Sequence, residues 1–356
     1  MSNRITFLDG HRGLAIMLVV LFHAFARWPE ILPYGERLSS FPLFKYGWLG
    51  VNLFFLISGF VILMSLEKCS SVREFLVRRW LRLFPAMLIC SAVIYATVGF
   101  FPERPGGSPT PWSLLPGLTF VEPSWWSTLS GHRVTPLEGA FWSLFVEFKF
   151  YVFAALIYYW KGRNVLFGFL LSAFVLYVLS DVARKHGGGS TVVALNDLFS
   201  TLSFETFSWF ASGAAFYVFF KTKEVKWWIF ALCLAIAGPL GFHHQQSAGR
   251  FVAATAVSLM FALTLYVPAM RIPLDTRVFQ SFGYISYPLY LIHENMMVAI
   301  IIKMEREFAF IPHFVLPFIA ITMLVALAYL ITRYVEPRVH ALISRVLAGR
   351  FAPVAS

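Results

Sequence analysis

Charge is scarce in this chain of 356 residues: Asp, Glu, Lys and Arg together make up 13% of it, about half the share found in soluble globular domains. A water-soluble fold of this size is thereby excluded, because too few charged side chains are available to solvate its surface. Cysteine is scarcer still. Cys69, Cys90 and Cys233 lie far apart in sequence, and two of them fall within apolar runs. That pattern excludes a disulfide framework and shows no metal-ligand spacing, so the three read as free thiols. There is no Gly-rich nucleotide loop, no Ser nucleophile elbow and no fixed-period repeat. Acids number only 18 against 29 Lys and Arg, for a net charge of +11. The basic residues sit in short clusters between apolar runs, which marks them as topology signals rather than as a nucleic-acid surface.

What the chain has in abundance is apolar sequence, with 58% hydrophobic residues and a mean hydropathy of +0.70. Ten runs are near the length needed to cross a hydrocarbon core of about 30 Å. They cover approximately 12–28, 46–65, 83–101, 139–160, 164–180, 200–220, 226–242, 249–268, 279–302 and 310–334. With the N-terminus inside, the inner segments hold eighteen of the 29 Lys and Arg and the outer ones ten, Lys149 lying within a span. The positive-inside rule thus predicts an all-α polytopic membrane protein of about ten transmembrane helices, both termini cytoplasmic. The Ala24–Ala26 stretch resembles a signal-peptidase site, but removing the first run would invert the charge bias of every later loop. The expected organisation is one transmembrane domain over 1–337 and a short cytoplasmic tail over 338–356.

Polar residues inside apolar runs are functional candidates by default. His23 lies eleven residues after Arg12, about 16 Å further along a helix, so Arg12 sits at the inner interface and His23 in the outer half of the membrane. Glu147 is expected at a similar depth, where a carboxylate can hold an imidazole as a general base. A structural ion pair or a proton relay in a transporter fits the same two residues. Ser58 and Gly59 fall in mid-span, where small residues allow helices close approach. Arg79 and Arg82 share a face at the inner entrance to the third span, suited to anchoring or to gripping phosphates. His293 sits mid-span beside Glu294, where a structural hydrogen bond is the better reading and a functional role the alternative. The stretch 102–138 carries seven prolines, which break any long helix, and reads as an outer loop whose Trp125 and Trp126 offer either an interfacial belt or a platform for sugar rings. His132, His243 and His244 read as solvated loop histidines.

Five blocks of this sequence resemble, in order, the signature blocks of the membrane-bound acyltransferase 3 family: FLDGHRGLAIMLVVLFH, LGVNLFFLISGFVI, FLVRRWLRLFP, FWSLFVEFKFYV and FGYISYPLYLIH. They run from Phe7 to His293. The resemblance implies a multi-pass enzyme of the cell inner membrane that moves an acyl group, commonly acetyl from acetyl-CoA, onto an extracytoplasmic or lipid-linked carbohydrate. By the same resemblance Arg12 and His23 match the family's first-span Arg and His. Arg79 and Arg82 match its Arg-x-x-Arg pair, Ser58 its Ser-Gly element, and Glu147 the acid of its Ser-Leu-x-x-Glu block. The implied roles are catalysis for His23 and Glu147 and donor binding for Arg12, Arg79, Arg82 and Ser58, with acetyl-CoA as co-substrate and no metal; Trp125, Trp126 and His293, candidates on their own positions and not by the resemblance, are assigned to the acceptor. Some family members carry a fused extracytoplasmic hydrolase-like domain. This chain shows none, so either the membrane domain acts alone or a separate extracytoplasmic transferase partner completes the transfer. A transporter or flippase of a lipid-linked sugar is the rival reading.

Overall fold

The computed structural model describes residues 5–241 and 247–351. Among them there is no strand. The principal helices in chain order are α1 (Thr6–Phe25), α2 (Leu49–Leu66), α3 (Val72–Ala96), α4 (Leu114–Thr119), α5 (Pro123–Ser130), α6 (Trp142–Lys185), α7 (Ser190–Thr201), α8 (Phe207–Thr222), α9 (Val225–Ala237), α10 (Ala248–Tyr266), α11 (Arg277–Ile292), α12 (Glu294–Glu307), α13 (Leu316–Leu330) and α14 (Glu336–Phe351). In a low-dielectric surrounding every backbone N–H and C=O needs an internal partner, which only helices supply segment by segment.

Six helical stretches among the described residues are long and apolar enough to cross a membrane, and the pair α11 and α12, bent by 76°, makes a seventh. The expected runs 139–160 and 164–180 fall on the two halves of α6, which breaks at Gly162 (φ 79°, ψ −175°). That left-handed conformation is one glycine adopts without steric cost. The expected runs at 200–220 and 226–242 correspond to α8 and α9, of 16 and 13 residues, with a 3-10 turn at Gly238–Gly241 completing the latter. The loop over 102–138 holds no long helix, yet it is less extended than its prolines suggest: Pro123 opens the short α5, where its missing N–H costs nothing. At the other end a π-turn at Ile331–Val335 joins α13 to α14, so the expected tail is helical to Phe351, and the remainder lies outside the described residues. His243 and His244 also lie outside them.

The chain forms two compact units. The first gathers the chain up to Ala15, Trp48–Leu76 and Val146–Gln280; the second gathers Ile16–Gly47, Val77–Phe145 and the chain from Ser281. In the first, α2 and α8 pack at backbone distance. A Cβ on Gly59 would collide with the Phe210 carbonyl, and one on Gly213 with that of Leu56. Phe150 stacks on Phe210 with ring centroids 4.1 Å apart, and the Ser212 hydroxyl donates to the Ala231 carbonyl at 2.6 Å. In the second unit, Phe141 and Met87 close over Gly117, and the Tyr287 hydroxyl donates to the Leu83 carbonyl at 3.2 Å.

Candidate active site

The break between α11 and α12 organises the second unit. Three polar residues, His293, Glu294 and Asn295, sit at the bend, and all three are buried. The first N–H groups of α12 have no partner within the helix. One of them, from Asn295, donates to Glu138 Oε2 at 2.6 Å. Glu138 is itself fully buried and takes Arg104 Nη2 at 2.9 Å on its other oxygen. The same Arg104 nitrogen donates to the Leu137 carbonyl at 2.7 Å. Arg104 Nε and Nη1 are buried without a hydrogen-bond partner. Asn295 Oδ1 accepts from the Gly106 N–H at 3.2 Å. A buried carboxylate at a helix N-terminus is favoured by the helix dipole as well as by its bonds, so Glu138 fixes where α12 begins.

Glu294, one residue after the bend, accepts from the Ala140 N–H on Oε2, and its Oε1 lies 3.7 Å from His23 Nε2. Gly139 leaves room for this carboxylate, since a Cβ there would clash with it. His293 Nδ1 meets the Tyr290 carbonyl at 2.8 Å, so that nitrogen carries the proton and Nε2 is left as an acceptor. His23 Nδ1 lies 2.9 Å from the Val19 carbonyl and 3.2 Å from His293 Nε2. One N–H shared between those two acceptors satisfies both distances. The tautomer follows: His23 Nε2 holds a lone pair beside the Glu294 carboxylate. A base whose far nitrogen is pinned and whose near nitrogen lies next to an acid is built to take a proton and to be stabilised once it has done so. Tyr290, one turn before His293, is tied to Ser143 at 2.7 Å and donates to the Ala140 carbonyl at 3.0 Å. The backbone that holds Glu294 is thereby linked to the helix that holds His293.

His23, expected to pair with Glu147, has Glu294 as the acid beside its Nε2 within the second unit. Glu147 belongs to the first unit, where its Oε1 accepts from the Ser58 hydroxyl and from the Tyr151 hydroxyl, the latter at 2.6 Å. Depth along a span is one coordinate, and the direction in which a side chain leaves its helix is another that run length and hydropathy do not carry. The Ser58 hydroxyl donates to Glu147, and His293 is fully buried, its Nε2 3.2 Å from His23 Nδ1. Arg12 pairs with Asp9 at 2.9 Å, one turn back on α1. Arg79 is buried and Arg82 exposed. Trp125 is exposed on α5, and Trp126 is half-buried with its Nε1–H donated to Thr119 Oγ1 at 3.1 Å. Among the described residues no group of three His, Cys, Asp or Glu side chains is placed to hold a metal ion. The residues that sequence reasoning passed over are Glu294, Glu138, Arg104 and Asn295. The run His293-Glu294-Asn295 inside an apolar span was the available signal for the first and last of these.

Parts of this sequence resemble known proteins. Over 169 residues the chain is 30% identical to the peptidoglycan O-acetyltransferase OatA of Listeria monocytogenes, covering 41% of this chain and 22% of that protein. Over 190 residues it is 29% identical to the putative membrane-bound transacylase BcsY of Komagataeibacter xylinus, covering 49% and 44%. Over 210 residues it is 27% identical to the O-acetyltransferase OatA of Staphylococcus aureus, covering 52% and 32%. The matched part is therefore less than half the length of each of these relatives. No solved structure matches the chain. Residues 5–333, from the start of α1 into the π-turn, match the acyltransferase 3 family, an acyltransferase domain, and the chain belongs to that family.

Proposed function

We propose that this protein is a membrane O-acyltransferase that moves an acyl group, acetyl in the first instance, from acyl-CoA to a hydroxyl of an extracytoplasmic or lipid-linked carbohydrate. The observation that carries the reading is His23 Nε2, unpaired with any backbone group and 3.7 Å from Glu294 Oε1, in a chain of the acyltransferase family. A relative named for peptidoglycan O-acetylation supports a carbohydrate acceptor.

In this reaction the acceptor oxygen attacks the thioester carbonyl carbon as its proton passes to His23 Nε2. The C–S bond then breaks, and the proton moves from Nε2 to the departing sulfur, so His23 ends as it began. Glu294 stabilises the imidazolium between the two transfers through its charge. His293 and the Val19 carbonyl hold the ring by Nδ1, the part that a carboxylate plays in serine hydrolases. Arg79 and Arg82, at i and i+3 of α3, are assigned to the donor's phosphates, a task for which guanidinium groups suit better than ammonium groups. Exposed Trp125 is assigned to the acceptor sugar.

Mass spectrometry of cell-surface glycans from cells with and without the protein tests the reaction, and His23→Ala tests the base. Wild-type cells are expected to carry an acyl mass increment that both the deletion and a normally abundant His23→Ala protein lose; removing a general base costs about 10²–10⁴ in rate. An unchanged glycan profile on deletion refutes the reaction. Full acylation by the mutant removes His23 from the mechanism.

A further inference from the structure

At one end of the first unit the chain builds a polar cleft that the acyl-transfer reading does not use. The cleft measures about 410 Å³ and is lined by Glu67, Tyr158, Lys161, Gly162, Arg163 and Asn164. It exists because α6 breaks at Gly162, so that one half-helix ends and the next begins beside the end of α2. The Tyr159 hydroxyl donates to the carbonyls of Leu66 and Cys69 at 3.0 and 2.9 Å, which ties these two helix ends together.

Glu67 is the only acid in the lining, and its charge is already committed. It accepts from Lys221 Nζ at 2.7 Å and from the Tyr217 hydroxyl at 2.8 Å, and Arg163 stands 4.0 Å away. Burial works against its charge, but those hydrogen bonds and the neighbouring cations hold its carboxyl below the usual carboxylate range. Counting Lys161, Arg163 and Lys221 against Glu67, the cleft keeps two net positive charges. Their side chains are also steadied: the Arg163 guanidinium lies 5.7 Å from the Trp227 ring centre and Lys161 Nζ lies 5.4 Å from that of Trp160. Anchoring at a membrane surface asks only for cations in water. It does not ask for an open cleft in which an acid lashes a third cation to the rim and an asparagine and a tyrosine share the lining.

We propose that this cleft is a binding site for a phosphate monoester. A dianionic monoester matches the net charge of two and offers three acceptor oxygens to an ammonium, a guanidinium fork and neutral donors. The first N–H groups of the half-helix that begins at Arg163 add donors of the same kind. The same chemistry is presented by a soluble nucleotide bearing a terminal phosphate and by the head group of phosphatidic acid. The site stands independently of the acyl-transfer chemistry, since none of its residues is assigned to it.

The test uses the full-length protein in nanodiscs with two probes: uridine 5′-monophosphate in solution, and phosphatidic acid mixed into the disc lipid and counted by native mass spectrometry. Wild-type protein is expected to bind one of them saturably, and which one binds identifies the source. Lys161→Gln with Arg163→Gln should weaken that binding at least about tenfold, whereas Lys226→Gln, which removes an exposed cation paired to Glu224, should change it less than about twofold. As a measurement on unmutated protein, the bound probe should shield Lys161, but not Lys226, from an amine-acylating reagent. Failure of both probes to bind, equal loss in the Lys226 variant, or no shielding of Lys161 overturns the proposal. Abolished acyl transfer with probe binding intact would count against the proposed reaction alone.

Discussion

His23 is held by three neighbours that do different things, and substitution separates them. Glu294→Gln keeps the size of the side chain and can still accept from Ala140, but it removes the negative charge beside Nε2. The expected outcome is a fall in kcat of about 10² with KM nearly unchanged, the pattern of an interaction that strengthens as the imidazolium forms. Glu147→Gln is expected to cost about tenfold or less, because Glu147 serves Ser58 and Tyr151 rather than the base. Steady-state kinetics on purified protein checks both, and a larger loss for Glu147 than for Glu294 reverses the assignment. His23 itself was legible in the sequence because an imidazole in an apolar run is conspicuous whatever it touches. Its partner was not, since Glu294 is 271 positions away and only the bend at His293 turns it toward the first helix.

Among the helices, the closest approach described above is that of α2 and α8. Gly59 and Gly213 each face the partner's backbone, and neither leaves space for a methyl group. Gly59→Ala is therefore expected to destabilise the protein by about 1–3 kcal/mol through overpacking. Gly168→Ala, in α6 with open space around it, should be neutral or stabilising by up to about 1 kcal/mol. Thermal unfolding in detergent gives the comparison, and equal shifts for the two would remove the tight crossing as the cause. Most helix positions were readable from run length and hydropathy, though α3 begins at Val72, ahead of the run expected from 83 because its first turns carry the charged residues, and glycine in mid-span pointed to close packing. What the runs did not contain was the angle between α11 and α12: Pro288 lies within α11, while the bend comes after it, where the Asn295 N–H donates to the buried Glu138.

At the scale of the whole molecule, the count of basic residues makes a claim about sides. A cysteine placed at Ser108, in the 102–138 loop, should react with an impermeant thiol reagent added to intact cells, and Cys69 should react only after lysis. The reverse pattern inverts the topology and with it the side from which the donor arrives. Apolar patterning made membrane residence plain, but the grouping of the chain into two units was hidden, since each unit is assembled from segments far apart in sequence. The same arrangement sets an order in time. The ring of His23 waits for His293, 270 residues further on, and at typical synthesis rates that interval is on the order of 15 to 50 seconds. During it the first span carries a polar ring into the bilayer with only the Val19 carbonyl to satisfy it. A chain stalled before His293 should accordingly hold its first span less firmly than one released after Asn295, so that the last stage of synthesis secures what the first moments of insertion leave open.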